Sequence, residues 1–594
     1  MQTALRADGW TRMDGVAVRG RAFEGERLLE GSALASRFAD ARGTDEPTLE
    51  AVASVAATLE GFFAAAVRGP DATHLVADGA RSIPLYYDTR GTVVADQGQI
   101  VRDALEASHD PITESEFLLT RYVTGPETIW SGVRSTQPGE VVRVGSEGST
   151  RRTYRDYWPA NSADRRPDAS RASPGQSRAR LESALETALD RLERVAGDRP
   201  VVVPLSGGYD SRLLASALVE RGREVIGFTF GRSGHPDVEA SREIAARLGI
   251  RWEFCDYDES TWREWYHGPA GRAYRRRAFG GDALPFLAEW PAVRQLVAEG
   301  RLPTDALYCP GHTVATPSER LPQFAGERDD DAPSSSVGCG PAVDADDDVD
   351  DTDDRERVEP SLEALTDYVL ERHYALWDWD DATFERAARE RIRRGLLGDR
   401  DPGAVTDPES AAAAYERWEW RGRMATFTNG DLRAYEDAGL DWWLPLWDPA
   451  YVRAWERVPL EQRRGKGLHA DLALEYYRRA ADVPRDRVGV TDRSLSPIDR
   501  HLALVRYTPT RQFTERGGDW EPPFLAPRSA WSEPGSHPLS WYEILDDDLL
   551  DRLPPFRNLY ALRTLAATGR LGIADPTGPV PDGSTLELPI EDRD

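Results

Sequence analysis

Lysine is almost missing from this chain. Of 74 lysine and arginine residues in 594, only Lys466 is a lysine. Basic charge is short overall, since 102 aspartates and glutamates leave a formal net charge of −28. So acidic a chain is a poor general binder of nucleic acid or of an anionic membrane, because both need positive charge set against phosphate. Neither is expected as a partner. Cysteine is scarce as well: Cys255, Cys309 and Cys339 are too few for a disulfide framework and lack the paired spacing of a metal site. No run approaches the roughly 20 apolar residues of a membrane-spanning helix. The first 30 residues carry charge throughout, without the apolar core of a signal peptide. A soluble, cytoplasmic protein is the expectation.

What is present points to folded domains. Hydrophobic residues make up 40% of the chain, with 18 Trp, 20 Tyr and 16 Phe, which excludes a disordered acidic tail. At roughly 150 residues per domain the length suggests three or four domains, or two large ones. Surplus acid keeps a protein soluble, and salt screens its self-repulsion. Together with the use of arginine for lysine, it fits a salt-rich cytoplasm such as that of a halophilic archaeon. Composition reports on the solvent more than on the chemistry.

Residues 1–158 read as β-rich, with short apolar runs at Phe62–Val67, Leu75–Ala77, Leu85–Tyr87, Thr92–Val94 and Val141–Val144, each bounded by Gly, Pro or Asp. A Ser-, Arg-, Asp- and Pro-rich linker covers 159–176. The pattern then changes to a helix (Ser177 to Ala196), a buried strand (Pro200 to Leu205), a Gly-containing turn, a helix (Ser211 to Arg221), a strand (Val225 to Phe230) and a helix (Asp237 to Leu248). Strand and helix alternating at this spacing predict a parallel α/β sheet. This second domain is expected over 177–325 and 361–575. It is interrupted by an acidic insertion at 326–360, whose runs Asp329–Asp331 and Asp346–Asp348 read as a solvated, disordered segment. Residues 576–594 read as a tail.

Ser206-Gly207-Gly208-Tyr209-Asp210-Ser211 directly follows the buried strand and opens a helix. That placement surrounds a phosphate-sized space with backbone N–H groups and a helix N-terminus. Glycine lets the backbone approach an anion closely. The hydroxyls of Ser206 and Ser211 can donate to phosphate, and Asp210 can hold Mg²⁺. The GKS ending of a Walker loop and the GxGxxG pattern are both absent.

The hexapeptide resembles the SGGxDS pyrophosphate loop of the asparagine-synthetase family, among the N-type ATP pyrophosphatases. Phe228-Thr229-Phe230-Gly231, Pro236-Asp237 and Ile244–Gly249 are similar to the family's next strand and helix. Trp443–Asp448 looks like its R-x-P-F-L-D segment, and Arg463–Leu472 like the segment that carries its catalytic lysine. Leu59–Phe63 and Asp78–Tyr87 are similar to elements of the attached glutaminase-type domain. The likeness spans roughly residues 50–480.

The resemblance implies an α/β and α+β fold. An Ntn-type, glutaminase-like β-sandwich flanked by helices comes first, and a parallel-sheet adenine-nucleotide alpha-hydrolase-like synthetase domain with helical additions follows. It also implies an amide-forming ligase in which a substrate carboxylate attacks the α-phosphate of MgATP, pyrophosphate leaves, and ammonia or an amine takes the acyl group. ATP and Mg²⁺ are the implied cofactors. Ser206, Gly207, Gly208, Asp210, Ser211, Phe230 and Gly311 are the implied nucleotide-binding residues, with Asp210 also the metal ligand. Lys466 and Asp210 are the implied catalytic pair. A slip of register would make Arg464 the competing cation in place of Lys466. A small-molecule carboxylate, ammonia or an amine donor, and a second copy of the chain in a homodimer are the implied partners.

Two departures from the family pattern stand out. The glutaminase nucleophile is an N-terminal cysteine, whereas this chain opens Met1-Gln2-Thr3 and has no cysteine before Cys255. Glutamine hydrolysis is therefore expected to be absent. Arg68-Gly69-Pro70-Asp71 copies a glutamine-clamping motif but follows the Phe62–Val67 run, so it reads as a hairpin turn. In the synthetase site, the family's acid-rich S-G-E-G-S-D-E is replaced by Cys309–Thr316, which keeps Gly311 and offers His312. His312 is either a contact to substrate carboxylate or phosphate, or a hydrogen-bonded structural histidine. Glutamine-dependent asparagine synthesis is thus one alternative to an ammonia- or amine-using ligase. A catalytically degenerate nucleotide- or partner-binding homologue is another. A tRNA-thiolating enzyme would want a catalytic cysteine pair and a basic face for RNA.

Overall fold

The computed structural model describes residues 1–42, 47–159, 173–231, 233, 236–257, 265, 268–327, 357–374 and 379–483. The linker core, the charged body of the acidic insertion and everything after 483, including the expected tail, lie outside the described residues.

The N-terminal domain stacks four layers. A sheet of seven strands runs Gly148–Thr153, Glu140–Gly145, Ala72–Ala77, Glu60–Arg68, Val16–Glu24 and Thr11–Met13, with Arg27–Glu30 also paired to Val16–Glu24. A second sheet orders Gln2–Ala4, Val93–Ala95, Tyr86–Asp88 and Val133–Ser135. Alternation along each strand supplies both faces. Ala64, Ala66, Leu75, Val142 and Val144 of the larger sheet meet Leu85, Tyr87 and Val94 of the smaller one in an apolar layer between them. Val16, Val18, Phe63, Ala65, Val67 and Val76 point the other way, onto the helices Gly31–Arg42 and Leu49–Thr58. Thr48 caps the second helix, its Oγ1 accepting from Ala51 N at 3.1 Å. Arg68–Asp71 forms the turn between antiparallel strands Glu60–Arg68 and Ala72–Ala77, closed by Gly69 N donating to Ala72 O at 2.8 Å. This is the hairpin that the sequence predicts.

The second domain is built on five parallel strands in the order Arg251–Asp256, Val225–Gly231, Val201–Pro204, Leu307–Tyr308 and Asp441–Trp442. Register is fixed by pairs such as Val201 with Val225 and Val203 with Gly227. Val201, Val202 and Val203 are fully buried, as expected of a strand covered on both faces. The preceding helix, Pro174–Ala196, starts from a capping box in which Ser173 and Gln176 satisfy each other's backbone. Its apolar stripe (Leu181, Leu185, Leu189, Leu192) is fully buried. The helix Gly467–Ala480 packs along Tyr209–Glu220, and this contact assembles the site described next. The base of the acidic insertion is pinned: Phe324 and Val358 form a parallel bridge, and Ala325 N donates to Val358 O at 2.9 Å.

Candidate functional site

The strand Val201–Pro204 ends in the loop 205–208, and the helix Tyr209–Glu220 begins at Gly208 without a side-chain cap. Its first-turn N–H groups therefore face outward from the carboxyl end of the central strands, where open α/β sheets bind ligands. Ser206 and Ser211 close the loop: Ser206 N donates to Ser211 Oγ at 3.1 Å, the two hydroxyls lie 3.2 Å apart, and Gly208 N donates to Ser206 Oγ at 3.2 Å. Arg212 braces it from below through Gly207 O at 2.6 Å, its guanidinium 5.4 Å from the centres of the Tyr209 and Tyr477 rings. Phe230 ends the neighbouring strand, half-buried and stacked on Tyr257 with ring centres 5.4 Å apart.

Gly311 lies against the start of this helix. A Cβ built there would sit 2.8 Å from Ser211 N and 3.0 Å from its Cα. Both are backbone atoms and cannot swing away. Gly311→Ala should push the two segments apart and weaken ATP binding about tenfold or more, in line with the roughly 1–3 kcal/mol cost of overpacking. Equilibrium titration with ATP measures this, and an unaltered Kd would show that the contact is not part of the nucleotide site.

The cationic side of the site comes from Lys466. Its Nζ lies 3.2 Å from Asp210 Oδ2 and 2.9 Å from Glu319 Oε2. Lys466 is 4% exposed and adopts the left-handed conformation at φ 48°, directly after Gly465 at φ 60°. A non-glycine residue held there is a local strain of the kind that collects at functional sites. Burial alone would discharge the ammonium, but the two carboxylates outweigh it and hold the Lys466 pKa above its ordinary value. Burial would likewise raise Asp210, yet Lys466 and His469 outweigh it and hold the carboxyl well below its usual range. Asp210 keeps about a quarter of its side chain open to solvent.

His469, in the first turn of the helix that follows Lys466, is fully buried. Its Nε2 lies 2.8 Å from Asp210 Oδ1, and its Nδ1 lies 2.7 Å from Tyr451 OH. The approach to Asp210 is off the line of a straight hydrogen bond, so Asp210 Oδ1 and His469 Nε2 are both buried atoms without a well-formed partner. An anionic carboxylate with one unsatisfied oxygen beside a glycine-containing helix start is a donor set that suits Mg²⁺ carried on phosphate.

Ser206, Gly207, Gly208, Asp210, Ser211, Gly311 and Lys466 thus converge, with Phe230 at the next strand end. Arg464 turns away. Its guanidinium donates to Leu321 O and Pro322 O and pairs with Glu327 at the base of the acidic insertion. His312 faces a different group, with Nε2 3.2 Å from Asp431 Oδ2. Burial pushes its pKa down to about 4, against the opposing charge of Asp210, so the ring is neutral at physiological pH. Asp448 of the Trp443–Asp448 segment pairs with Arg191 at 2.8 Å and caps the helix Pro449–Trp455. It holds the fold and stands outside the loop.

Glu319 and His469 escaped the reading of motifs. Glu319 lies three residues past the divergent 309–316 segment. His469 lies in the first turn of the helix that Lys466 precedes, a position that carries no motif of its own. Two cavities, of about 830 and 670 Å³, lie in the N-terminal domain and at its junction with residues 433–443, and neither includes a residue of the loop.

Residues 180–262, the segment that carries the Ser206–Ser211 loop, match the model of the asparagine synthase family. Over that segment the chain is asparagine-synthetase-like. Among curated proteins, the tRNA-specific 2-thiouridylase MnmA of Rhizobium meliloti (strain 1021) is 29% identical over 152 residues, covering 23% of this chain and 37% of that protein. MnmA of Rhodospirillum rubrum is 36% identical over 90 residues, covering 13% and 24%. The chain thus spans about a third of the length of the curated relatives it matches. Two solved structures overlay in part. One is the allosteric regulatory enzyme of purine biosynthesis (12% identity, TM-score 0.17, 41% of this chain and 61% of that one). The other is the glutamine phosphoribosylpyrophosphate amidotransferase from B. subtilis (14%, TM-score 0.16, 52% and 58%). No helix among the described residues is long and apolar enough to cross a membrane.

Proposed function

We propose that the chain is an ATP-dependent ligase of the PP-loop class that activates a small-molecule carboxylate as its acyl-adenylate and transfers the acyl group to ammonia or a substrate amine. The observation that carries this reading is the meeting of Lys466 and Asp210 at 3.2 Å over an uncapped helix start in an asparagine-synthase segment. In the first step a carboxylate oxygen attacks the α-phosphorus and the bond to the β-phosphate breaks. The N–H groups of the loop and the hydroxyls of Ser206 and Ser211 hold the departing pyrophosphate, while the Lys466 ammonium offsets the charge that builds on it. Mg²⁺, when bound, neutralises phosphate charge and aligns the leaving group; Asp210 is the residue placed to hold it. In the second step nitrogen attacks the acyl carbon and AMP leaves.

ATP–pyrophosphate exchange at high KCl tests this, screened over aspartate, other amino acids and sugar acids. Exchange with at least one carboxylate, lost in Asp210→Ala, is the expected result. Measurable ATP binding with no exchange on any carboxylate would overturn the ligase in favour of a nucleotide-binding homologue. Asparagine synthesis is the specific case in which aspartate is the acceptor.

The likeness to MnmA raises a thiolating alternative. The described cysteines do not favour it. Burial pushes the Cys255 thiol up to about 12 and raises Cys309 well above its usual value, so neither is a thiolate at neutral pH. The N-terminal domain holds no cysteine at all. Incubation with glutamine should therefore release no glutamate above a blank. Release on a scale matching amide formation would show that another residue has taken over the nucleophile's role.

A further inference from the structure

A second polar cluster lies behind Gly311 and takes no part in the nucleotide contacts above. Asp431 is fully buried, and neither carboxyl oxygen accepts a well-formed hydrogen bond. Asn429 is 3% exposed; its Nδ2 donates to Ala80 O at 3.0 Å, while its Oδ1 receives no well-formed hydrogen bond. His312 brings Nε2 to 3.2 Å from Asp431 Oδ2, and its ring also approaches the Asn429 side chain, with Nδ1 in no well-formed hydrogen bond. Beyond Asp431 lies buried Glu289, which accepts from Tyr435 OH. Burial raises Glu289 to about 7. Burial, then the charge of Glu289, raises Asp431 well above its ordinary value, against Arg433. Burial and the repulsion between the two carboxyl groups thus disfavour two negative charges here. Arg433 itself is engaged with Ser82 O and Glu436.

The backbone that delivers these groups is unusual. A π-helix, Trp420–Phe427, runs into a 3₁₀ turn, Thr428–Asp431. π-segments are rare and concentrate at functional sites. The cluster also adjoins the loop, since His312 follows Gly311 and feels the charge of Asp210.

Buried acceptors without well-formed donors, set beside buried carboxyl groups, suit a small cation rich in N–H. Among the described residues, no group of three or more His, Cys, Asp or Glu side chains is arranged to hold a metal ion. We propose that His312, Asn429, Asp431 and Glu289 bind the nitrogen donor as ammonium or a primary ammonium group, and that His312 takes a proton from it during amide formation. This rests on the ligase reading above. The ammonium gives one proton to an ionised carboxyl of Glu289 or Asp431. The freed lone pair forms the C–N bond to the acyl carbon. The C–O bond to AMP breaks, its electron pair leaving on AMP, and nitrogen gives a further proton to His312 Nδ1. Both protons return to water.

The test uses the full chain with aspartate, and each carboxylate that supports exchange, as acceptor and ammonium chloride as nitrogen donor. Asp431→Asn and His312→Gln should each lower kcat/KM for ammonium by about 10²-fold, while ATP–pyrophosphate exchange, which needs no amine, falls less than about threefold. Hydroxylamine, neutral at pH 7, should recover most of the product as hydroxamate in Asp431→Asn. Equal losses of exchange and amide formation would overturn the inference, placing the cluster in adenylation or in folding. So would an unaltered ammonium kcat/KM in both variants. Absence of exchange in the unsubstituted protein would instead overturn the ligase reading, and this inference with it.

Discussion

Lys466→Arg should abolish most of the adenylating activity although it keeps the positive charge. Pyrophosphate exchange is expected to fall about 10²–10³-fold, the scale of losing a pre-organised electrostatic contact to the transition state. The ammonium sits between Asp210 and Glu319, at 3.2 and 2.9 Å, in a space that leaves Lys466 4% exposed. A guanidinium is planar, broader, and carries five N–H donors in a fixed fork. Two carboxylates approaching one point cannot satisfy that fork, and each donor left bare in a buried site costs about 1–3 kcal/mol. The left-handed backbone at φ 48° aims the side chain and leaves no slack for a longer one. Lys466→Ala should lose at least as much. If Lys466→Arg kept exchange within about threefold of the unsubstituted protein, charge alone would suffice and the geometric argument would fail. The composition sharpens the test, since arginine has replaced lysine everywhere else in this chain.

The loop and its scaffold are legible in the sequence because their signals are local. Val201-Val202-Val203 can be little but a buried strand, and Ser206–Ser211 follows it without a gap. The helix boundaries fall within a few residues of expectation: Tyr209–Glu220 and Pro236–Leu248 are observed. The first 30 residues were harder to read. Their strand Val16–Glu24 alternates apolar residues with Arg19 and Arg21, whose charges hide the period. Both arginines are neutralised across the domain junction, by Glu436 and Asp441 at 2.7 Å, acids more than 400 positions away. The choice between Lys466 and Arg464 is equally non-local, decided by which of two side chains, one residue apart across Gly465, turns to the loop and which to the base of the insertion. Asp431 and Glu289 carry no motif at all. Their significance lies in being buried, with Asp431 lacking a well-formed donor, and only packing reveals that.

The same packing ties the N-terminal domain, which holds no cysteine, to the second domain. Arg81 and Asp282 form an ion pair across the junction, 3% and 5% exposed. Arg81 also donates to Thr136 O at 2.7 Å, and Tyr86 OH reaches the other oxygen of Asp282 at 3.2 Å. Backbone meets ring here as well: a Cβ added at Gly280 would fall 1.9 Å from Tyr86 Oη, so the two domains touch without space for a methyl group. Asp282→Ala would leave Arg81 charged, buried and short of its counter-ion. The expected cost is about 3–5 kcal/mol, the range for breaking one partner out of a buried pair. Because the pair belongs to both domains, the loss should lower the melting of both together in calorimetry at high KCl. Arg81→Met with Asp282→Leu, which removes the charges in concert, should recover much of the stability. A change below about 1 kcal/mol in Asp282→Ala, the scale of an exposed pair, would mean that water reaches the junction. Two separate transitions, with only one of them shifted, would mean that the N-terminal domain is a passenger, whereas a single shared one makes it the wall against which Asn429 and the 420–431 segment are held.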